Sequence, residues 1–235
     1  MTVLEIMAEL EAKGSESVKK IFLNHGIKEP LFGVKIADLK IIQKKVKKNH
    51  SIALELFATE NADAMYLAGL LADEKKMTLI DLQNWANAAK STNIIEYIVP
   101  WITAESNFGV ELATIWLNDT DPKKNTMGWL TWCSIVAITK DENLDLSHLE
   151  KLLQTVKITL PKSENNVKAA MNMFVISVGS YVISLTDLAL ETATIIGKVT
   201  VTKAGISCKI PEAIPYIMKI KAKGSLGKKK KKARC

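Results

Sequence analysis

The chain has 235 residues, a formal net charge of +7, 48% hydrophobic side chains and 6% aromatic ones. So apolar a composition excludes a disordered chain, and the length suits one domain or one continuous repeat stack. Three cysteines (Cys133, Cys208 and Cys235) exclude a disulfide scaffold and point to a reducing compartment.

The N-terminus, Met1 to Lys13, has no basic start and is interrupted by Glu5, Glu9 and Glu11, so it does not read as a signal peptide. Apolar residues then recur at spacings of three and four. Val3, Ile6, Met7 and Leu10 form one face, and Ile36, Leu39, Ile42 and Val46 another. Leu79, Leu82, Trp85, Ala86 and Ala89 form a third, and Leu149, Leu152, Leu153 and Val156 a fourth. Start signals precede several of them: Ser15, Asp145 and the Pro161-Lys162-Ser163 run. Breaks at Pro30–Gly33, Asn118–Pro122 and Lys140–Asn143 divide the chain into segments about two helices long. Ala169 to Thr186 is uncharged, but Asn172, Ser177, Ser180 and Ser184 suit a buried helix better than a lipid-facing one. The pattern predicts an all-α, solenoid-like stack of antiparallel helix pairs in a soluble, cytoplasmic protein. Each pair must bury its apolar face on a neighbour.

One segment departs from the helical period. Val199 to Thr202 alternates β-branched and polar residues, Lys203-Ala204-Gly205 can turn, and Ile206 to Ile210 resumes the alternation. This predicts a short β-hairpin presenting Lys198, Lys203 and Lys209. A final helix is expected from Pro211 to Lys223. The boundaries are a helical body over 1–197, a hairpin over 198–210 and a basic helix and tail over 211–235, all within one domain.

Charge follows the same division. From Lys198 onward there are 12 basic residues and one acid, Glu212, whereas the first 197 residues carry 20 basic and 24 acidic side chains. A basic end on a mildly acidic body attracts a polyanion. The lysine run Lys228, Lys229, Lys230, Lys231, Lys232 with Arg234 reads either as a phosphate-binding strip or as a solvated tail. No metal is expected, because His25, His50 and His148 are far apart and no two cysteines have ligand spacing. No Gly-rich phosphate loop or nucleophile elbow is present, so no cofactor is expected. Trp101, Trp116, Trp129 and Trp132 cluster in the middle third. Core packing is expected of Trp116 and Trp129. An aromatic wall for a base is the alternative use of this cluster.

Four stretches together resemble a known family: Phe32-Gly33-Val34-Lys35 with the helix after it, Ala89 to Pro100, the Trp129 helix, and Cys208-Lys209-Ile210-Pro211. They are similar to the HEAT-like-repeat DNA alkylation repair proteins, the AlkD-like DNA glycosylases. The hairpin and the basic tail look like the AlkF/AlkG branch, in which a β-hairpin is associated with branched DNA. The resemblance implies a HEAT-like helical-repeat fold that cradles DNA through its backbone. For the alkylpurine glycosylases it further implies an aspartate beside the sugar, with a tryptophan and an arginine flanking the lesion nucleotide. Anchored on Ile98-Val99-Pro100, those positions fall on Glu96, Thr92 and Trp132. Glu96 keeps the charge, Thr92 removes the aromatic face, and Trp132 replaces the cation with bulk. The resemblance so altered implies DNA binding by shape, to branched or distorted DNA, with weak or no base excision. The alternatives are an active N3-/N7-alkylpurine glycosylase using Glu96, and a helical-repeat scaffold for protein partners. A monomer is expected.

Overall fold

A computed structural model describes residues 1–203, 206–208 and 210–234, with Lys203 and 206–208 described by their backbone alone. The chain folds into two compact units. Met1–Phe108 with Arg234 make the first, and Gly109–Ala233 the second. The first holds α1 (Val3–Lys13), α2 (Glu16–Asn24), α3 (Ile36–Val46), α4 (His50–Ala58), α5 (Ala62–Leu71), α6 (Leu79–Ala88), a π-helical turn (Ile94–Ile98) and α7 (Val99–Glu105). The second holds α8 (Gly109–Leu117), α9 (Pro122–Ile138), α10 (Leu146–Thr159), α11 (Asn165–Tyr181) and α12 (Thr186–Ile196). A two-stranded antiparallel hairpin follows, β1 (Val201–Lys203) with β2 (Ile206–Cys208), and then α13 (Ala213–Ala222). The all-α fold with one short hairpin is thus the one expected from the sequence.

Helix starts follow side-chain chemistry. Thr2 with Glu5, and Thr78 with Asp81, form reciprocal capping boxes at α1 and α6. Asn61 caps α5 by accepting from the N–H groups of Asp63 and Ala64, and Asp145 caps α10 by accepting from His148 N–H. Ser15 precedes α2 but makes no side-chain cap. The last helix begins later than expected. Pro211 lies outside it, and Pro215 occupies the first turn, where a missing N–H leaves no hydrogen bond unmade.

Each unit is built around strongly buried helices. In the first, all ten residues of α5 are buried against α4, α3 and α1. In the second, α9 and α11 share the largest interface, and α8 lies against α9. Gly128 lets α8 approach closely, since a Cβ there would sit 2.9 Å from Leu117 N and 3.0 Å from Ala113 O. The uncharged stretch in α11 is therefore core. Among the described residues no single helix is long and apolar enough to cross a membrane.

The hairpin, α13 and the chain as far as Ala233 belong to the second unit. Val201 is buried, Asn165 Nδ2 donates to Thr202 O at 2.8 Å, and Asn172 Nδ2 donates to Pro211 O at 2.9 Å. A hairpin of two three-residue strands is marginal alone. Its support here comes from α11.

Candidate nucleic-acid interface

Pro100 shapes the turn that carries Glu96. A proline inside a helix has no N–H to donate and crowds the carbonyl four residues back. Here that carbonyl belongs to Glu96. The backbone widens over Ile94–Ile98, with Val99 N–H reaching Ile94 O, five residues back. Ile94 and Ile98 point inward, Ile98 against Gly69, while Glu96 is half-buried and Tyr97 is exposed. The Tyr97 ring lies 5.3 Å from that of Trp101, which in turn meets Tyr66 edge-on at 6.5 Å.

The residues before this turn hold it in place. Thr92 N–H donates to Gly26 O at 3.3 Å, Thr92 Oγ1 donates to His25 O at 2.9 Å, and Lys28 N–H donates to Ser91 Oγ at 2.8 Å. Thr92 is therefore a positioning residue, and its methyl fills the space where Gly26 would carry a Cβ. A cavity of about 220 Å³ opens beside the turn, lined by Phe22, Ile27, Leu39, Tyr66, Asn93 and Tyr97.

The Phe32-Gly33-Val34 loop borders the same region and rests on a residue that sequence reading missed. Asp63 projects from the buried face of α5 and accepts hydrogen bonds from the backbone N–H groups of Phe32 (2.7 Å), Gly33 (2.9 Å) and Val34 (3.1 Å). Burial pushes the Asp63 carboxyl above its ordinary range, and the three N–H donors oppose that shift. Gly33 has φ +78°, and a Cβ there would meet the α2 backbone at 2.6 Å. Only glycine suits that site. The available signal was a single acid in the otherwise apolar run Ala62 to Leu71.

Trp132 lies in the second unit and behaves differently. It is 3% exposed, and its ring lies 5.0 Å from that of His148. It offers no open ring face to a base. Trp129 is buried against Phe174 with its Nε1 donating to Asn125 Oδ1, and Trp116 is buried too, so both are core residues as expected. Cys133 is half-buried on the same helix, and desolvation pushes its thiol up to about 12.

The basic residues divide by engagement. Lys198 is exposed and pairs with Glu212 at 2.8 Å. Lys203 is described only by its backbone in β1, and Lys209 lies outside the described residues. Lys228, Lys231 and Lys232 are exposed. Lys229 Nζ donates to Val136 O at 2.8 Å and pairs with Asp141 at 2.7 Å. Lys230 N–H donates to Ala137 O at 2.7 Å, and its ammonium lies 5.9 Å from the centre of the Tyr181 ring. Gly227 N–H donates to Ser180 O at 2.9 Å. Arg234 is bound among carboxylates in the first unit. The run is thus no frayed tail. No group of side chains able to hold a metal ion occurs among the described residues.

With this geometry in view, the comparisons with known proteins agree. The chain matches the DNA alkylation repair enzyme family over residues 6–217, and it belongs to that family. It is 33% identical over 224 residues to an uncharacterised protein of Listeria innocua, Lin0241, and 32% identical to its counterpart Lmo0209 of Listeria monocytogenes. Each match spans 93% of this chain and 97% of the relative. A solved structure described as "a new family of proteins related to the HEAT-like repeat DNA glycosylases with affinity for branched DNA structures" superposes with a TM-score of 0.92. It is 36% identical and the match covers all of both chains. The HEAT-like repeat fold is therefore shared.

Proposed function

We propose that this protein binds branched or distorted DNA by shape, with the hairpin and the basic C-terminal end as its principal DNA-engaging elements. The observation that carries this reading is the joining of 12 basic residues and one acid to a hairpin buttressed by α11, on a body of the DNA alkylation repair fold. The described affinity of the structural neighbour for branched DNA supports it. Lysines contact phosphates and carry little base information, so discrimination comes from the path of the backbone and from interrupted stacking. The test is a gel-shift series with duplex, fork and four-way-junction DNA over a range of salt. Tighter binding to junctions and forks, with affinity falling steeply as salt rises, is expected. Equal affinity for all three at matched salt would overturn the proposal.

A second reading, excision of N3- or N7-alkylpurines, is favoured by the half-buried carboxylate of Glu96 on a widened helical turn. A carboxylate beside the sugar would stabilise the cationic charge that develops as an alkylated base leaves. Release of 7-methylguanine from methylated DNA that disappears in Glu96→Gln would establish it. No release above background would remove it.

A further inference from the structure

The last four carbonyls of a helix have no partner within it, and burial makes that costly. α5 is the most enclosed helix of the first unit, so its C-terminal carbonyls need donors from elsewhere. Ala68 O accepts from Ala72 N–H, Leu70 O from Gln43 Nε2 at 3.1 Å, and Leu71 O from Asn49 N–H at 2.9 Å. Gly69 O and the C-cap carbonyl of Ala72 are met by Arg234, whose Nη1 donates to them at 3.1 and 3.0 Å.

The same guanidinium satisfies two carboxylates. Its Nη2 lies 2.6 Å from Glu74 and 2.8 Å from Glu105, and its Nε donates to Glu105 Oε2 at 3.0 Å. The backbone N–H of Arg234 donates to Glu105 Oε1 at 3.1 Å. The Arg234 side chain is 9% exposed, and those of Glu74 and Glu105 are 14% and 8% exposed. Burial opposes ionisation of Glu74, but hydrogen bonds from Lys48 and Arg234 outweigh it, and its pKa lies below the ordinary value. A cation at a helix C-terminus is also favoured by the helix dipole. Within the second unit, Lys229 and the Lys230 N–H meet Val136 O and Ala137 O in the last turn of α9 in the same manner.

We propose that Glu74, Glu105 and the carbonyls of Gly69 and Ala72 form a guanidinium-selective socket, and that Arg234 occupies it as an anchor for the segment that carries it. Arg234 then works as a C-terminal cap for α5. Lysine cannot replace the arginine. A single ammonium cannot donate in plane to two carboxylates and two carbonyls at once. The anchor stands independently of DNA binding.

The test uses the full-length protein. Arg234→Ala and Arg234→Lys are compared with wild type by thermal unfolding and by the rate at which trypsin removes the tail at Lys228–Lys232. Both variants are expected to lose the tail at least about tenfold faster and to melt roughly 4–8 °C lower. Ethylguanidinium at millimolar concentration should restore part of the lost melting temperature of Arg234→Ala, while leaving the tail cleavable. Ethylammonium at equal ionic strength should not. Glu105→Gln, nearly isosteric, should show the same tail release in a folded protein. Wild-type trypsin rates in Arg234→Ala, or equal rescue by the two cations, would overturn the socket.

Discussion

Two helical turns occupy the positions where the family resemblance places chemistry, and they have opposite characters. The turn at Ile94–Ile98 is open. Its backbone is widened ahead of Pro100, Glu96 is half-buried, and Tyr97 is exposed. The turn carrying Trp132 is closed, with the indole buried against His148 and Trp129 sealed under Phe174. Where the resemblance implies a phosphate-directed cation, this chain has a buried tryptophan. The acid at the first position is thus half-buried, and the residue at the second is core.

The contrast is broken most severely by Trp132→Arg. A guanidinium forced into that enclosed site would be a buried charge, so a loss of about 4 kcal/mol or more of stability is expected in urea unfolding. A well-folded variant of wild-type stability would show that the turn is surface. The open turn depends on its support instead. Asp63→Ala strands three backbone N–H groups of the Phe32–Val34 loop, and a loss of about 3 kcal/mol is expected. Asp63→Asn keeps an acceptor and should lose less. Equal losses for the two would mean that packing, and not the carboxylate, holds the loop.

Smaller effects concern DNA. Changing the exposed Lys228, Lys231 and Lys232 to Ser should lower the slope of log affinity against log salt by about 2–3, if each meets one phosphate. An unchanged slope would place those lysines off the DNA. Glu96→Gln should alter junction affinity by less than about twofold, because one half-buried charge is screened at physiological salt. A loss of tenfold would instead make Glu96 a direct DNA contact.

The sequence announced the repeating helices because their apolar faces recur every three to four residues, and it announced the hairpin because β-branched residues alternate near Gly205. The first strand is shorter than that alternation suggested, beginning at Val201, which pairs with Cys208. The burial of Trp116 and Trp129 was legible from their place on apolar helix faces. The structural roles of Asp63 and Arg234 were not. Asp63 acts on a loop about thirty residues earlier, and Arg234 acts on carbonyls more than 160 residues away. No local period records such pairings. The lysine run was ambiguous for a related reason. Composition gives charge, but which cations are engaged depends on where α9 and α5 end.

Competition between a four-way junction and a linear duplex of the same base composition is the most direct test. It is run at one salt concentration with wild type and with a variant lacking residues 199–209. Wild type is expected to prefer the junction by tenfold or more on the order of typical shape discrimination, and the variant should lose most of that preference while keeping duplex affinity within a few-fold. Equal affinity of wild type for the two DNAs, or an undiminished preference without the hairpin, would contradict shape recognition by the hairpin end.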